Sequence, residues 1–535
     1  MSSSEEKNTA RHQFNQPFLN LGPEDATDKP VDTEIVGQIP EWLEGSLYRN
    51  GPGIFQVGET RLKHLFDGFT VLHKFHIHKG KATYMSRVLD TETWQNSVKA
   101  KRLIATQFGT YETPDPCKST FAKLATIFKP QHKAEWTDNV SVNIVEHGDR
   151  LYAMTETPTI VRVDPAELKA AGRENLAKTI AVHMSTAHPH FDEQGNMYNL
   201  GTAFNPPNNY NIIRIPPPSK EDKDAPVTTQ AELVTSLKSR WMFSMGYNHS
   251  FGMSRDYFVI LEQPITMSSF GFLTNNWRSA AAYDNFVKRP TEELIFRLVS
   301  RQNNAETAIK YRAEPTFTFH FVNCYEDDEH KALVVDFCGY SDLNIIDNLY
   351  LENLDKDGIA HAVPTFRRYV LPLSTRGAAV GKNLVTLPNS GATATLRPDG
   401  TVFLEADYIT NSTVQMELPK INYDRNTKKH RYVYGTTLFS KEPKLMKLDL
   451  ETKQVLEWQE QGYQAGEPVF VPRPGASGGE DDGVILSPVL STKGNDSCFL
   501  LVLDAKSFKE IARARTPASV KMSLSFHGSY VQQKQ

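Results

Sequence analysis

The feature that most constrains this chain is a short pattern that keeps returning: a polar turn, then a strand of apolar or alternating residues. It reads as KGKATYMSRV, HGDRLYAMTET, EQGNMYNLGT, SRDYFVILEQP, EHKALVVDFCG, PDGTVFLEAD and DDGVILSPVL. Strand side chains alternate between two faces, so period-two runs bounded by turn residues predict antiparallel hairpins. Taken from the turns at Gly80, Gly148, Gly195, Arg255, His330, Asp399 and Asp482, the units recur about every 67 residues. A four-stranded propeller blade with tight loops needs only ~40 to 45. Seven longer units predict an all-β fold, a seven-bladed β-propeller whose surplus residues form a helical and loop cap over one end. The same strands would also build a large β-sandwich or two all-β domains.

The 535 residues include 31 Gly and 31 Pro, which favours turns over long helices. Residues 1–29 are expected to form a mobile N-terminal extension, and residues 30–535 a single propeller domain with its cap. The opening MSSSEEKNTARHQFNQ lacks the apolar core of a signal peptide, and no run approaches the ~18 apolar residues of a membrane span. With 59 Lys and Arg against 63 Asp and Glu, the net charge of −4 offers no basic field for nucleic acid. Cys117, Cys324, Cys338 and Cys498 have no metal-finger spacing and read as reduced thiols. A cytoplasmic protein with no obligate protein partner is expected, soluble or peripherally bound to intracellular membranes.

Histidines recur at one place in the pattern. His188, His249 and His320 precede their turns by 7, 6 and 10 residues, and His527 lies where a further unit would begin. Equivalent positions of propeller blades lie at similar height near the axis, so these side chains would converge. His73, seven residues before Gly80, shares the position, and spacing alone does not separate it from the others. In FTFHF, alternation sends Phe317, Phe319 and Phe321 to one face and His320 to the other. YNHSFG and SFHGSY each set a histidine near an aromatic and a glycine, as where backbone approaches a site closely. Neutral imidazoles suit Fe, Cu or Zn and call for carboxylates on their far nitrogens. Glu156, Glu417 and Glu467 lie in apolar or proline-bounded stretches where an unpaired carboxylate would be costly. Four such imidazoles and three carboxylates around a dication would carry a net charge of −1.

PDPCKSTFAKLATIFKP, residues 114–130, reads as a short amphipathic helix. Phe121, Leu124, Ala125 and Phe128 follow an i, i+3, i+4, i+7 spacing, and Lys118, Lys123 and Lys129 can face water or anionic lipid. Such a helix either packs on a core or docks on a membrane, and TMSSFGFLTNNW, residues 266–277, could add apolar contacts beside it.

TAHPH, YNHSFG, FTFHFVNCYED and SFHG, in this order, resemble motifs of the carotenoid cleavage oxygenases. So do GSLYRNGPG, HLFDGF, PDPCK, GKNLVTLP, KINY and EPVFV, and the resemblance runs from about Ile39 to Tyr530. It implies a seven-bladed propeller with Fe(II) on its axis beneath the cap, bound by His188, His249, His320 and His527 and oriented by Glu156, Glu417 and Glu467. It makes His188 rather than His190 the ligand and leaves His73 out. It implies membrane docking through Cys117, Phe121, Leu124 and Phe128, and a substrate tunnel for which Phe66, Phe108, Phe319, Tyr340 and Phe526 are candidates. The implied activity is O2-dependent cleavage of a carotenoid at its central 15,15′ double bond into two retinals. Similarity to the insect isomerooxygenases implies coupled trans-to-cis isomerisation, giving all-trans- and 11-cis-retinal. A retinyl ester isomerohydrolase would share the iron site, although Tyr340 stands where that branch is expected to carry tryptophan. A carotenoid-binding propeller without turnover would have no need of the metal ligands.

Overall fold

The computed structural model describes residues 17–19, 21–113, 137–219, 222, 224–354, 363–409, 414–437, 440, 443–475, 479–493 and 496–533. Among these, seven largely antiparallel sheets succeed one another and form the blades of a propeller. The first blade orders His527–Gln532, Gly45–Ile54, Phe69–His78, Lys81–Val88 and Val31–Asp32, so the last strand pairs with an early one. The second is a meander of Asn143–His147, Arg150–Met154, Thr159–Val163 and Ala170–Asn175. The third has Met197–Ala203, Asn209–Ile215 and Glu232–Lys238, with Met184–Ser185 and His190–Phe191 on its inner edge. Gly252–Met253, Tyr257–Glu262, Leu294–Ser300 and Tyr311–Ala313 make the fourth, and Phe317–Asp327, Ala332–Tyr340 and Thr365–Pro372 the fifth. The sixth is Glu417–Lys420, Tyr432–Thr436, Leu445–Asp449 and Val455–Trp458. The seventh, built on Val469–Pro472, Gly483–Ser491, Phe499–Asp504 and Glu510–Arg515, takes Glu34–Gly37 as its outer strand. Both ends of the chain thus fasten the first and last blades.

Each blade packs on a neighbour through both faces, so strands near the axis are covered on both sides. Gly45–Ile54, Ala332–Tyr340 and Gly483–Ser491 are buried along their whole length. Insertions around the fourth and fifth blades carry the cap: strands Ser244–Gly246, Ile265–Ser268 and Phe286–Lys288, and short helices such as Ser269–Leu273 and Ile345–Asn348. The longest helix among the described residues, Glu92–Ala100, starts where the Thr91 hydroxyl accepts the Trp94 N–H at 3.2 Å and stops at Lys101 with φ 52°. No helix of the described residues is long and apolar enough to cross a membrane.

Three places differ from the simple pattern. The Asp399 turn marks no blade: its strands, Thr393–Leu396 and Val402–Glu405, add in parallel to the outer edge of the fourth through Tyr311–Ala313. The missing unit is the sixth blade, and strand alternation alone cannot tell a hairpin that founds a sheet from one that joins it. Within residues 1–29, expected as a mobile extension, the described Phe18 and Leu19 are buried in the core and Asp25 pairs with Lys521 at 2.9 Å. In Phe317–Asp327 the pairing register shifts after Thr318 and again after Phe321. Phe321 therefore leaves the cluster of Phe317 and Phe319 and packs with the Phe337 group, against the simple alternation. The segment 114–130, with Cys117, Phe121, Leu124 and Phe128, lies outside the described residues.

Candidate metal centre

Every blade delivers a candidate side chain to the hub. His188 sits between the two inner strands of the third, His249 just before Gly252–Met253 of the fourth, and His320 in the inner strand of the fifth. His527 opens the closing strand of the first. Glu156 follows Arg150–Met154 in the second, Glu417 opens the sixth, and Glu467 precedes Val469–Pro472 in the seventh. Each of the four histidines offers one potential ligand nitrogen, and these atoms all lie within 4.8 Å of one another.

Three imidazoles are fixed by carboxylates. Nδ1 of His249 meets Glu156 Oε1 at 2.5 Å, Nδ1 of His320 meets Glu417 Oε2 at 2.6 Å, and Nδ1 of His527 meets Glu467 Oε1 at 2.7 Å. A carboxylate only accepts, so each Nδ1 carries the proton and each Nε2 of a neutral ring is left with a lone pair. Burial holds His188 well below the ordinary imidazole range, and lowers His249 despite the neighbouring Glu156. Burial takes His527 down to about 3 even though Glu467 opposes it. With each Nδ1 proton hydrogen-bonded to a carboxylate, the neutral tautomers of His320 and His527 turn bare Nε2 atoms toward each other at 3.2 Å. Two opposed lone pairs repel unless a cation stands between their owners, and neutral nitrogen donors suit a borderline transition metal. The residues present therefore fit a metal ion. His188 contacts the other imidazoles, its Nε2 lying 2.9 Å from that of His249.

The carboxylates are themselves held, and here sequence reading missed residues. Glu156 accepts the Tyr247 hydroxyl at 2.6 Å, and Glu417 accepts the Tyr340 hydroxyl at 2.9 Å and the Leu418 N–H at 2.7 Å. Leu418 takes φ 50° to do so, a local strain of the kind found at functional sites. Glu467 instead faces cations: Arg49 Nη1 at 2.5 Å on Oε2, and Lys420 Nζ at 3.2 Å on Oε1. Burial alone would raise its carboxyl, yet Lys420, His527 and Arg49 hold it far below the usual carboxylate range. The glycines beside the histidines are close-packed as expected. A Cβ on Gly528 would lie 2.1 Å from the Tyr48 carbonyl oxygen, and its N–H reaches Glu467 at 3.1 Å.

The remaining candidates separate cleanly. His190 stays off the cluster, with Nε2 bonded to the Phe251 carbonyl at 2.9 Å. His73 is buried against Tyr84 and Ser523. Phe319 lies edge-on to His249, with centroids 5.2 Å apart, and Phe66 touches Phe319, Phe526 and Phe108 at 6.1, 5.6 and 5.3 Å. The five aromatic candidates are thus contiguous and border the histidines; Tyr340 joins at 5.9 Å from Phe319 while its hydroxyl serves Glu417. Tyr283 and Phe286 extend the group from Phe108.

The model of the retinal pigment epithelial membrane protein family matches residues 22–532. The chain belongs to this family. Relatives include the β,β-carotene 15,15′-dioxygenase of Mus musculus, 38% identical over 94% of this chain and 89% of its own. The enzyme of that name from Gallus gallus is 37% identical, covering 94% and 96%. The mitochondrial carotenoid-cleaving dioxygenase of Macaca fascicularis is 35% identical, covering 94% and 92%. Among solved structures, a mutant of the Synechocystis apocarotenoid oxygenase matches with TM-score 0.74 at 21% identity, over 96% of this chain and 99% of the other. That likeness is one of fold, and it bears out the family's propeller for this member.

Proposed function

We propose that this protein is an Fe(II)-dependent dioxygenase that cleaves a carotenoid at its central 15,15′ double bond and releases two retinals. The observation that carries the reading is the convergence of four imidazoles at the hub, three of them fixed by carboxylates. The substrate class is supported by relatives named β,β-carotene 15,15′-dioxygenase at 36% to 38% identity.

In this reading His188, His249, His320 and His527 hold iron, and Glu156, Glu417 and Glu467 keep three of the rings in the tautomer that binds it. Held by these four neutral ligands, Fe(II) would supply the chemistry that turns O2 on an electron-rich double bond. The chain's own residues do the rest. Phe66, Phe108, Phe319 and Phe526 form an apolar wall beside His249 that excludes water and matches a polyene. Their ring faces favour positive character on the polyene as it reacts. Each of the three carboxylates is committed to an imidazole, so none serves as a general base.

Coupled trans-to-cis isomerisation, giving all-trans- and 11-cis-retinal, belongs to the same proposal. So does peripheral docking on intracellular membranes from the cytoplasmic side. Met242, Phe243 and Phe270 are 62%, 58% and 67% exposed. The Ser269 N–H bonds to the Phe243 carbonyl at 3.0 Å and makes these residues one apolar projection on the cap. Such a surface gives a lipid-dissolved substrate a route that avoids water.

The test supplies iron-loaded protein in detergent with a C40 carotenoid or a retinyl ester, with and without O2, and resolves the products. O2-dependent retinal from the carotenoid is expected; retinol from the ester would assign the second activity, and unchanged pigment would sink the enzyme reading. An all-trans product alone would remove the isomerisation.

A further inference from the structure

The three carboxylates at the hub are not equivalent. Glu156 and Glu417 lean on neutral tyrosine hydroxyls, at 2.6 Å from Tyr247 and 2.9 Å from Tyr340. Glu467 lies between two cations, Arg49 at 2.5 Å and Lys420 at 3.2 Å, and is almost wholly buried with a 1% exposed side chain. Counting side-chain charges, the two cations turn the −1 expected from three carboxylates, four imidazoles and a dication into +1.

Lys420 is not needed to hold Glu467 in place. Oε1 already meets His527 at 2.7 Å, and Oε2 already accepts from Arg49 at 2.5 Å and from the Gly528 N–H at 3.1 Å. Nor does Lys420 fill the core, since its side chain is 33% exposed. It reaches the hub through the register shift between Glu417 and Lys420, which turns both ends of one short strand toward the axis. A residue redundant as a strut, yet delivered to the ion pair by a bulge, has its charge left as its contribution.

We propose that Lys420 is an electrostatic positioning residue. It offsets the Glu467 charge, making His527 a weaker donor than His249 and His320 and leaving the metal centre more positive than its ligand set would otherwise be. This rests on the metal-binding reading above. A less compensated carboxylate makes its imidazole more basic, and added negative charge stabilises a metal cation, most of all in its higher oxidation state.

The experiment measures Fe(II) affinity of the full-length protein anaerobically by competition with a chromophoric chelator, and the Fe(III)/Fe(II) midpoint potential, for wild type, Lys420→Met and Lys420→Arg. Lys420→Met is expected to bind Fe(II) about 10-fold more tightly, at the low end of effects from groups around metal ligands. Its midpoint potential should move negative, and Lys420→Arg should restore both values. A purely structural role gives the opposite sign, because loosening Glu467 weakens metal binding. Equal or weaker binding by Lys420→Met therefore overturns the inference while the metal-centre reading stands. A wild-type protein that takes up no Fe(II) overturns both.

Discussion

Asp67 is fully buried, and its carboxylate accepts from the His64 N–H at 2.9 Å, the Gly109 N–H at 2.7 Å and the Thr110 hydroxyl at 2.6 Å. It thereby ties the turn bearing Phe66 to the loop bearing Phe108. Removing it leaves three buried donors unsatisfied, each worth ~1 to 3 kcal/mol. Asp67→Ala is expected to lose about 3 kcal/mol or more in denaturant unfolding, and Asp67→Asn less, since one oxygen still accepts; a near-neutral alanine variant would refute this account of the cap. At the hub the residues divide differently. His249→Ala or His527→Ala should abolish iron retention and activity together by metal analysis and turnover, whereas His190→Ala, bonded only to the Phe251 carbonyl among the described contacts, should spare most of both. Glu156→Gln or Glu417→Gln should lower activity by roughly 10- to 100-fold without eliminating it. If His190→Ala lost iron and His188→Ala kept it, the ligand assignment would be wrong.

Strands place these side chains only because some of them are irregular. The shifts in Phe317–Asp327 let Phe319 and His320 both reach the hub, where the rings of Phe319 and His249 are 5.2 Å apart. On a regular strand neighbouring residues would part to opposite faces. In the cap, the pairing of Ser244–Gly246 with Ile265–Ser268 brings the exposed Phe243 beside the exposed Phe270. Replacing both with serine should reduce co-sedimentation with phospholipid vesicles while leaving thermal stability within about 1 kcal/mol, as for exposed sites. Vesicle binding undiminished by the double variant would remove this surface from the docking proposal.

The whole molecule closes at both ends of the chain, with His527–Gln532 against Gly45–Ile54 and Glu34–Gly37 against Glu510–Arg515. A ring so closed buries several neutral imidazoles, and burial holds His527 and His73 at about 3 and His64, His147 and His430 at about 4, below the ordinary 6.5. Between about 6.5 and these values the unfolded chain takes up protons that the folded chain refuses, so their contribution is complete above pH 6.5 and lost as pH falls toward 3. Glu467, held low in the folded state, adds loss of the same sign at lower pH. Metal-free protein should therefore unfold at lower denaturant concentration at pH 5 than at pH 7, and equal midpoints would contradict the burial of neutral histidine.

Much of this was legible beforehand because it is local. Turn and strand alternate within a dozen residues, six of the seven chosen turns do lie within propeller blades, and the four histidines, whose nitrogens gather within 4.8 Å, sit in short motifs that can be read one at a time. The rest depends on residues that meet only after folding. Whether the hairpin at Asp399 founds a blade or joins one is decided by its neighbour Tyr311–Ala313, not by its own pattern. The charge around Glu467 is set by Arg49, 418 positions away, and no local spacing encodes that encounter. The sequence by itself determined which donors and carboxylates are available and that they ride on repeated strands. The tertiary structure decided which tautomers, cations and aromatic rings surround them, because burial and pairing energies arise only where distant segments exclude water together.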